Sequence, residues 1–148
     1  MESAGRRRIL VVANRTAATP DVLDSVKRYA REAPTTFALL IPDAPRGEHT
    51  DWTLELALPL LERAAGGPVE GLTGTSGDPF DAVRDVLSEG AYDRVIISTL
   101  PRRVSKWLRR GLPRRVEALG VPVETITAQE RKRVRDTFSE AMKHTLPG

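Results

Sequence analysis

The sequence predicts a three-layer α/β domain, in which an open, mostly parallel five-stranded sheet is doubly wound by helices on both faces and followed by a C-terminal helix. Two observations predict this class. Apolar runs of strand length alternate along the chain with segments in which apolar residues recur at helical spacing. The first apolar run contains no polar interruption, as in strands buried on both faces of a parallel sheet. Strands that alternate with helices are joined by right-handed crossovers, so a parallel sheet is expected.

The first half of the chain is expected to hold two strands and two helices. Residues 8–13 and 36–41 are the apolar runs predicted as the first two strands. Between them, Thr19-Pro20-Asp21 supplies an N-cap, a proline at the first helical position and an acidic first turn, which predicts that a helix begins there. A second helix is expected over 51–65, and Pro59 inside it predicts a kink or break.

The second half continues the alternation. Gly77-Asp78-Pro79 repeats the signal for the start of a helix. Strands are expected at 69–73, within 92–99 and at 121–126. In sheets of this kind, ligands bind at the carboxyl ends of the strands, where the strand order reverses. The loops after the first and fourth strands, which begin at Asn14 and Ser98, are therefore the candidate functional loops.

Positive charge is concentrated in the last third of the chain. Residues 1–99 carry 11 basic and 15 acidic residues, whereas residues 100–148 carry 12 basic and 5 acidic residues. A basic segment, residues 102–115, follows the fourth strand and contains Arg102, Arg103, Lys106, Arg109, Arg110, Arg114 and Arg115. A loop that leaves a strand and opens a helix is a common anion site, so this segment predicts an anionic ligand or partner. The alternative is a helix surface whose cationic side chains end in water.

The composition argues against several classes of function. The chain has no cysteine, which excludes disulfides, thiolate metal sites and a cysteine nucleophile. Its two histidines, His49 and His144, show no ligand spacing, so no metal site is expected. No stretch approaches the roughly 20 apolar residues of a membrane span, and no signal peptide is visible, so a cytoplasmic protein without a membrane partner is expected. No catalytic motif is visible, which favours a non-enzymatic function.

The pattern resembles the universal stress protein family. The matching segments are Ile9 to Thr16, Gly77-Asp78-Pro79, Tyr92 to Ser98 and Val121-Pro122-Val123. The resemblance covers roughly residues 7–127. It implies an adenine nucleotide alpha hydrolase-like, flavodoxin-like domain over 1–127, with a regulatory or stress-response role and a homodimer formed through the last strand.

The tail, residues 128–148, lies outside the resemblance. Its apolar residues Val134, Phe138, Ala141 and Met142 fall on one stripe of a helix. This spacing predicts an amphipathic helical extension that packs on its own domain or on a dimer partner.

The nucleotide-binding motif of the family is only partly present. ATP-binding members carry a glycine, two residues, a second glycine, nine residues, a third glycine and then serine or threonine after the fourth strand. At that spacing this chain has Ser98, Pro101, Gly111 and Leu112. Pro101 has no N–H and Leu112 has no hydroxyl, so the usual backbone cradle for phosphates is not expected.

Arginine side chains are expected to replace that cradle, because a guanidinium binds phosphate or carboxylate through two hydrogen bonds without close backbone approach. The candidate anion-binding residues are Asn14, Arg15, Thr16, Ser98, Thr99, Arg102, Arg103, Lys106, Arg109, Arg110 and Gly111. The expected ligand is a nucleotide or phosphate, although the sequence identifies no cofactor. Val104, Trp107 and Leu108 lie at helical spacing and predict a short helix, with Trp107 in the core or at a dimer contact.

Three other functions stay open at this point. One is a ligand-free adaptor whose basic segment and tail helix bind a protein partner. Another is an enzyme that acts on a phosphorylated substrate, which rests on fold analogy alone. The third, a nucleic-acid partner, is disfavoured because aromatic residues make up only 5% of the chain and do not interleave with the arginines.

Overall fold

The structure is a computed structural model that describes residues 6–14, 16–42, 48–74, 78–99 and 105–127. Its elements are β1 (Arg7–Val12), α1 (Pro20–Glu32), β2 (Thr35–Ile41), α2 (Glu48–Ala65), β3 (Val69–Thr73), α3 (Pro79–Glu89), β4 (Arg94–Thr99), α4 (Lys106–Arg109), α5 (Leu112–Glu117) and β5 (Val123–Thr127). The predicted tail helix and the predicted site residues Arg15, Arg102 and Arg103 lie outside the described residues.

The five strands form one parallel sheet in the order β3-β2-β1-β4-β5. Strand β1 lies at its centre and pairs with β2 along one edge and with β4 along the other. Because the chain adds strands first on one side of β1 and then on the other, the strand order reverses between β1 and β4. The predicted parallel, doubly wound α/β fold is confirmed.

Helices cover both faces of the sheet, because successive side chains of each central strand point to opposite sides. Ile9 and Val11 of β1 pack in one apolar layer with α1 and α2. Leu10 and Val12 pack in the other layer with α3, α4 and α5. Trp107 of α4 belongs to this second layer and is 9% exposed, which confirms it as a core residue.

The helix starts follow the predicted cap chemistry. Asp78 caps α3 by accepting a hydrogen bond from the Phe80 amide at 3.0 Å, and Pro79 occupies the first turn. Thr19 precedes α1 as predicted, but its hydroxyl donates to the Thr16 carbonyl at 3.2 Å instead of capping the helix. The start of α1 is therefore tied to the loop that follows β1.

Two local expectations need correction. Helix α2 runs through Pro59 without a break, because Ala57 and Leu61 are buried on the sheet on either side of the exposed proline. The last strand begins at Val123, two residues later than predicted. Val121 instead packs in the second apolar layer, and Pro122 offers only its carbonyl, which accepts from the Val95 amide at 2.9 Å.

Strand β5 lies at the edge of the sheet and is joined to α1 through the side chain of Glu124. The two carboxylate oxygens of Glu124 lie 3.1 and 3.2 Å from Nη2 of Arg28 on α1. The hydroxyl of Tyr29 donates a hydrogen bond to the same carboxylate. Burial of Tyr29, followed by its hydrogen bond to Glu124, raises the pKa of the tyrosine above its usual value.

The raised pKa predicts that Tyr29 stabilises the fold below the ordinary tyrosine pKa of about 10. This contribution is lost as the pH rises through the pKa of the folded state, because the unfolded chain then releases the tyrosine proton more readily. Glu124→Gln removes the charged acceptor and is expected to lower the pKa of Tyr29, although burial keeps it above the ordinary value. Tyrosinate absorbance against pH in a Tyr92→Phe background measures this, because the chain has two tyrosines.

Glu32→Gln is the matched control for this titration. Glu32 forms an exposed ion pair with Arg7 at 3.5 Å and is not in contact with the Tyr29 hydroxyl. Equal pKa values for Tyr29 in the two glutamine variants would contradict the assigned role of Glu124.

Candidate functional site

The carboxyl ends of β1 and β4 lie side by side and bring four of the predicted site residues together. Val12 of β1 is in register with Ile97 of β4. Ser98 and Thr99 end β4, so they lie beside the loop that carries Asn14 and Thr16. These four residues form the switch-point group, at the place where a doubly wound sheet opens a crevice.

A buried hydrogen bond joins the end of β4 to the loop after β1. The hydroxyl of Ser98 lies 2.7 Å from Oγ1 and 3.3 Å from the carbonyl oxygen of Thr16. Ser98 is 1% exposed and Thr16 is 6% exposed. The bond joins residues 82 positions apart and holds the loop after β1 against the end of β4. The Ser98 hydroxyl therefore has a structural partner within the protein.

Thr99, the next residue, is buried without such a partner. Its side chain lies on the opposite face of β4, it is 2% exposed, and its Oγ1 has no hydrogen-bond partner in the described part of the chain. A buried hydroxyl without a partner costs about 1–3 kcal/mol. Thr99 therefore presents an unused donor and acceptor at the switch point.

The basic segment forms two short helices. Buried Ser105 caps α4 by accepting from the Leu108 amide at 3.1 Å, which confirms the predicted short helix. Gly111 then adopts φ 69° and separates α4 from α5. A Cβ built on Gly111 would meet no atom within 4 Å. The left-handed turn therefore accounts for the glycine, and crowding by neighbouring atoms does not.

Arg109 and Gly111 line a groove of about 660 Å³ beside β5, together with Leu108, Pro113, Arg114, Glu117, Val123, Thr125 and Thr127. Lys106 at the start of α4 and Arg110 directly after its end are also exposed. None of the switch-point residues lines this groove in the described part of the chain. The predicted site residues thus divide into a switch-point group and a group along α4. Whether the two groups bind one ligand stays a prediction, as does the participation of Arg15, Arg102 and Arg103.

Seven groove residues were missing from the predicted site, namely Leu108, Pro113, Arg114, Glu117, Val123, Thr125 and Thr127. The three strand residues could have been found from the sequence. Side chains alternate along a strand, so Val123, Thr125 and Thr127 must lie on one face. The position of α5 over that face was not predictable from spacing alone.

Two further findings concern the described residues only. None of their helices has the length and apolarity needed to cross a membrane. They also contain no cluster of three or more histidine, aspartate or glutamate side chains suited to a metal ion.

Solved structures with this fold are universal stress proteins. One from Archaeoglobus fulgidus in complex with dAMP superposes with a TM-score of 0.54 at 18% identity, covering 83% of this chain and 98% of that one. Another structure from the same organism superposes with a TM-score of 0.52 at 16% identity, covering 83% of this chain and 93% of that one. A universal stress protein in complex with cAMP superposes with a TM-score of 0.50 at 18% identity, covering 83% of this chain and 97% of that one.

These likenesses establish that the chain has the universal stress protein fold, as the sequence motifs predicted. No protein-family model matches the sequence, and no curated protein matches it.

The buried bond between Ser98 and Thr16 predicts that Ser98→Ala destabilises the fold by about 1 kcal/mol, the typical net value of a hydrogen bond. Equilibrium unfolding in urea measures the change. Ser88→Ala is the control, because the Ser88 hydroxyl donates to the Asp85 carbonyl at the exposed surface. Equal stability of the two variants would show that the bond at the switch point contributes nothing.

Proposed function

We propose that this protein is a universal-stress-protein-like regulatory or stress-response protein that acts in the cytoplasm and binds a small anionic ligand at the switch point without chemically transforming it. The observation that carries the proposal is the buried hydroxyl of Thr99 at the carboxyl end of β4, which has no hydrogen-bond partner among the described residues. Solved proteins of the same fold hold dAMP and cAMP. A nucleotide or inorganic phosphate is therefore the ligand class to test first.

The protein would hold that ligand through side chains. Ser98 stands at the first glycine position of the family motif, and its side chain is committed to Thr16. Close backbone approach of phosphates at this position is therefore disfavoured. The Thr99 hydroxyl would supply a hydrogen bond, and Asn14 would contribute from the loop after β1. The charge would come from Arg15, Arg102, Arg103, Lys106, Arg109 and Arg110.

A thermal-shift series with ATP, ADP, AMP and inorganic phosphate at millimolar concentration tests this proposal. Ligand at 100 times its Kd adds about 2.7 kcal/mol of stability. For a chain of this size, each kcal/mol raises the melting temperature by about 2–4 °C. The nucleotides should be recovered unchanged after incubation, since no turnover is expected. If none of the four raises the melting temperature, the proposed ligand site is wrong.

Thr99→Val tests the residue that carries the proposal. Valine keeps the shape but removes the buried hydroxyl, so the unliganded variant is expected to be at least as stable as the parent protein. Its ligand-induced shift should be smaller. Thr36→Val is the control, because Thr36 lies at the amino end of β2 and donates to the Arg7 carbonyl at 3.4 Å. This control should lose stability but keep the full ligand shift.

We further propose that the protein is a homodimer through β5, which pairs with one strand only in the described sheet. An edge strand offers unpaired backbone groups to a second copy. The carboxylate of Glu124 on this strand is bound by Arg28 and Tyr29, so it presents little free charge to that copy. Residues 1–127 would form the dimerising domain and 128–148 an extension.

The mass of the protein in solution is expected to be twice that of the chain. Thr125→Lys places a charge on the exposed surface of β5 and should give a monomer, because lysine on an edge strand opposes pairing. Thr73→Lys is the matched control on β3, the opposite edge strand. Light scattering after gel filtration measures both masses. A monomeric parent protein would overturn the proposed dimer. Equal dissociation of the Thr125→Lys and Thr73→Lys variants would show that β5 is not the specific contact.

A second candidate function is a ligand-free adaptor that binds a protein partner through its basic segment. The observation that favours it is the exposure of Lys106, Arg109 and Arg110, with Arg109 lining a groove separate from the switch-point residues.

A further inference from the structure

The groove beside β5 is long and open. Its strand side consists of Val123, Thr125 and Thr127, which alternate along β5 and therefore share one face. From the first to the third of these residues the strand extends about 13 Å. Both threonines are exposed, so their hydroxyls are accessible along the strand. The shape fits an extended chain better than a single phosphate.

The opposite side of the groove carries two arginines. Arg109 and Arg114 line it and are exposed, and neither forms an ion pair with an acidic residue in the described part of the chain. Glu117 is the one acidic residue among the described lining residues. The next arginine, Arg115, differs because it lies 3.8 Å from Asp78 and stacks 4.3 Å above the Phe80 ring. The two groove arginines are thus available to an anionic ligand.

We propose that this groove binds an extended acidic segment of a partner protein. Carboxylates fit a guanidinium through two hydrogen bonds, and the threonine hydroxyls can bond the backbone of a segment that runs along β5. This inference rests on the adaptor function proposed above, and it assigns Arg109 to the groove instead of to the ligand at the switch point.

Other occupants fit less well. Residues 128–148 of this chain carry five basic and three acidic residues, so the tail has the same sign of charge as the groove. A nucleic acid carries a phosphate at every nucleotide, and the carboxylate of Glu117 in the groove would repel the nearest one. The described lining also contains no aromatic residue on which bases could stack. A peptide can place its acidic side chains opposite the arginines and a neutral one opposite Glu117.

Fluorescence anisotropy with a labelled peptide in which glutamate alternates with threonine tests the inference on the full chain. The parent protein should bind it, with affinity falling as salt rises. Arg109→Gln with Arg114→Gln should weaken binding by about tenfold or more. Lys27→Gln with Arg31→Gln removes the same charge from exposed positions on α1 and should leave binding unchanged. A peptide with glutamine in place of glutamate should not bind.

The outcomes distinguish a failure of the groove proposal from a failure of the adaptor function. The double variant Lys106→Gln with Arg110→Gln could abolish binding while Arg109→Gln with Arg114→Gln does not. In that case the adaptor function stands, and the groove is not the binding site. If the parent protein does not bind the acidic peptide, both are overturned. Tighter binding of a single-stranded oligonucleotide to the same arginines would replace the peptide with nucleic acid. A change from dimer to monomer in the groove variant alone would identify the groove as a contact between copies.

Discussion

The arrangement of the whole molecule depends on one constraint, the burial of β1 on both faces and its pairing along both edges. Ile9, Leu10, Val11 and Val12 are at most 1% exposed. A strand with neighbours on both sides forces the chain to build the sheet outward in two directions, toward β3 and toward β5. The loops that follow β1 and β4 therefore start side by side, and the polar residues placed there are brought together by topology although they are far apart in sequence.

The two residues that end β4 have different surroundings. Ser98 and Thr99 point to opposite faces of the sheet because they are consecutive in a strand. Ser98 stabilises the loop after β1 through Thr16, a task that a glycine cannot perform because it has no side chain. Thr99 has no such partner among the described residues. Two neighbouring hydroxyls at the end of one strand thus differ, since one fixes a loop and the other does not.

The sequence predicted the strands and the order of elements well, because uninterrupted apolar runs such as residues 9–13 are explained by burial alone. The break that was one of the two expectations at Pro59 does not occur, because buried neighbours on α2 keep the helix continuous. The site was predictable only in part. The placement of Asn14 and Ser98 after their strands follows from topology, whereas the direction of α5 relative to α4 depends on the left-handed turn at Gly111. The periodicity of apolar residues in the sequence does not predict that direction.

The same turn explains why neighbouring arginines of the basic segment differ in their surroundings. It begins α5 at Leu112, and the burial of Leu112 and Val116 then fixes the rotation of that helix on the sheet. Because successive residues of a helix point about 100° apart, Arg115 turns toward Asp78 and Phe80 while Arg114 turns toward the groove beside β5. A charge count treats these two arginines as equal. Packing joins Arg115 to Asp78 and Phe80 and turns Arg114 into the groove, so the apolar residues of a basic segment decide the surroundings of each of its charges.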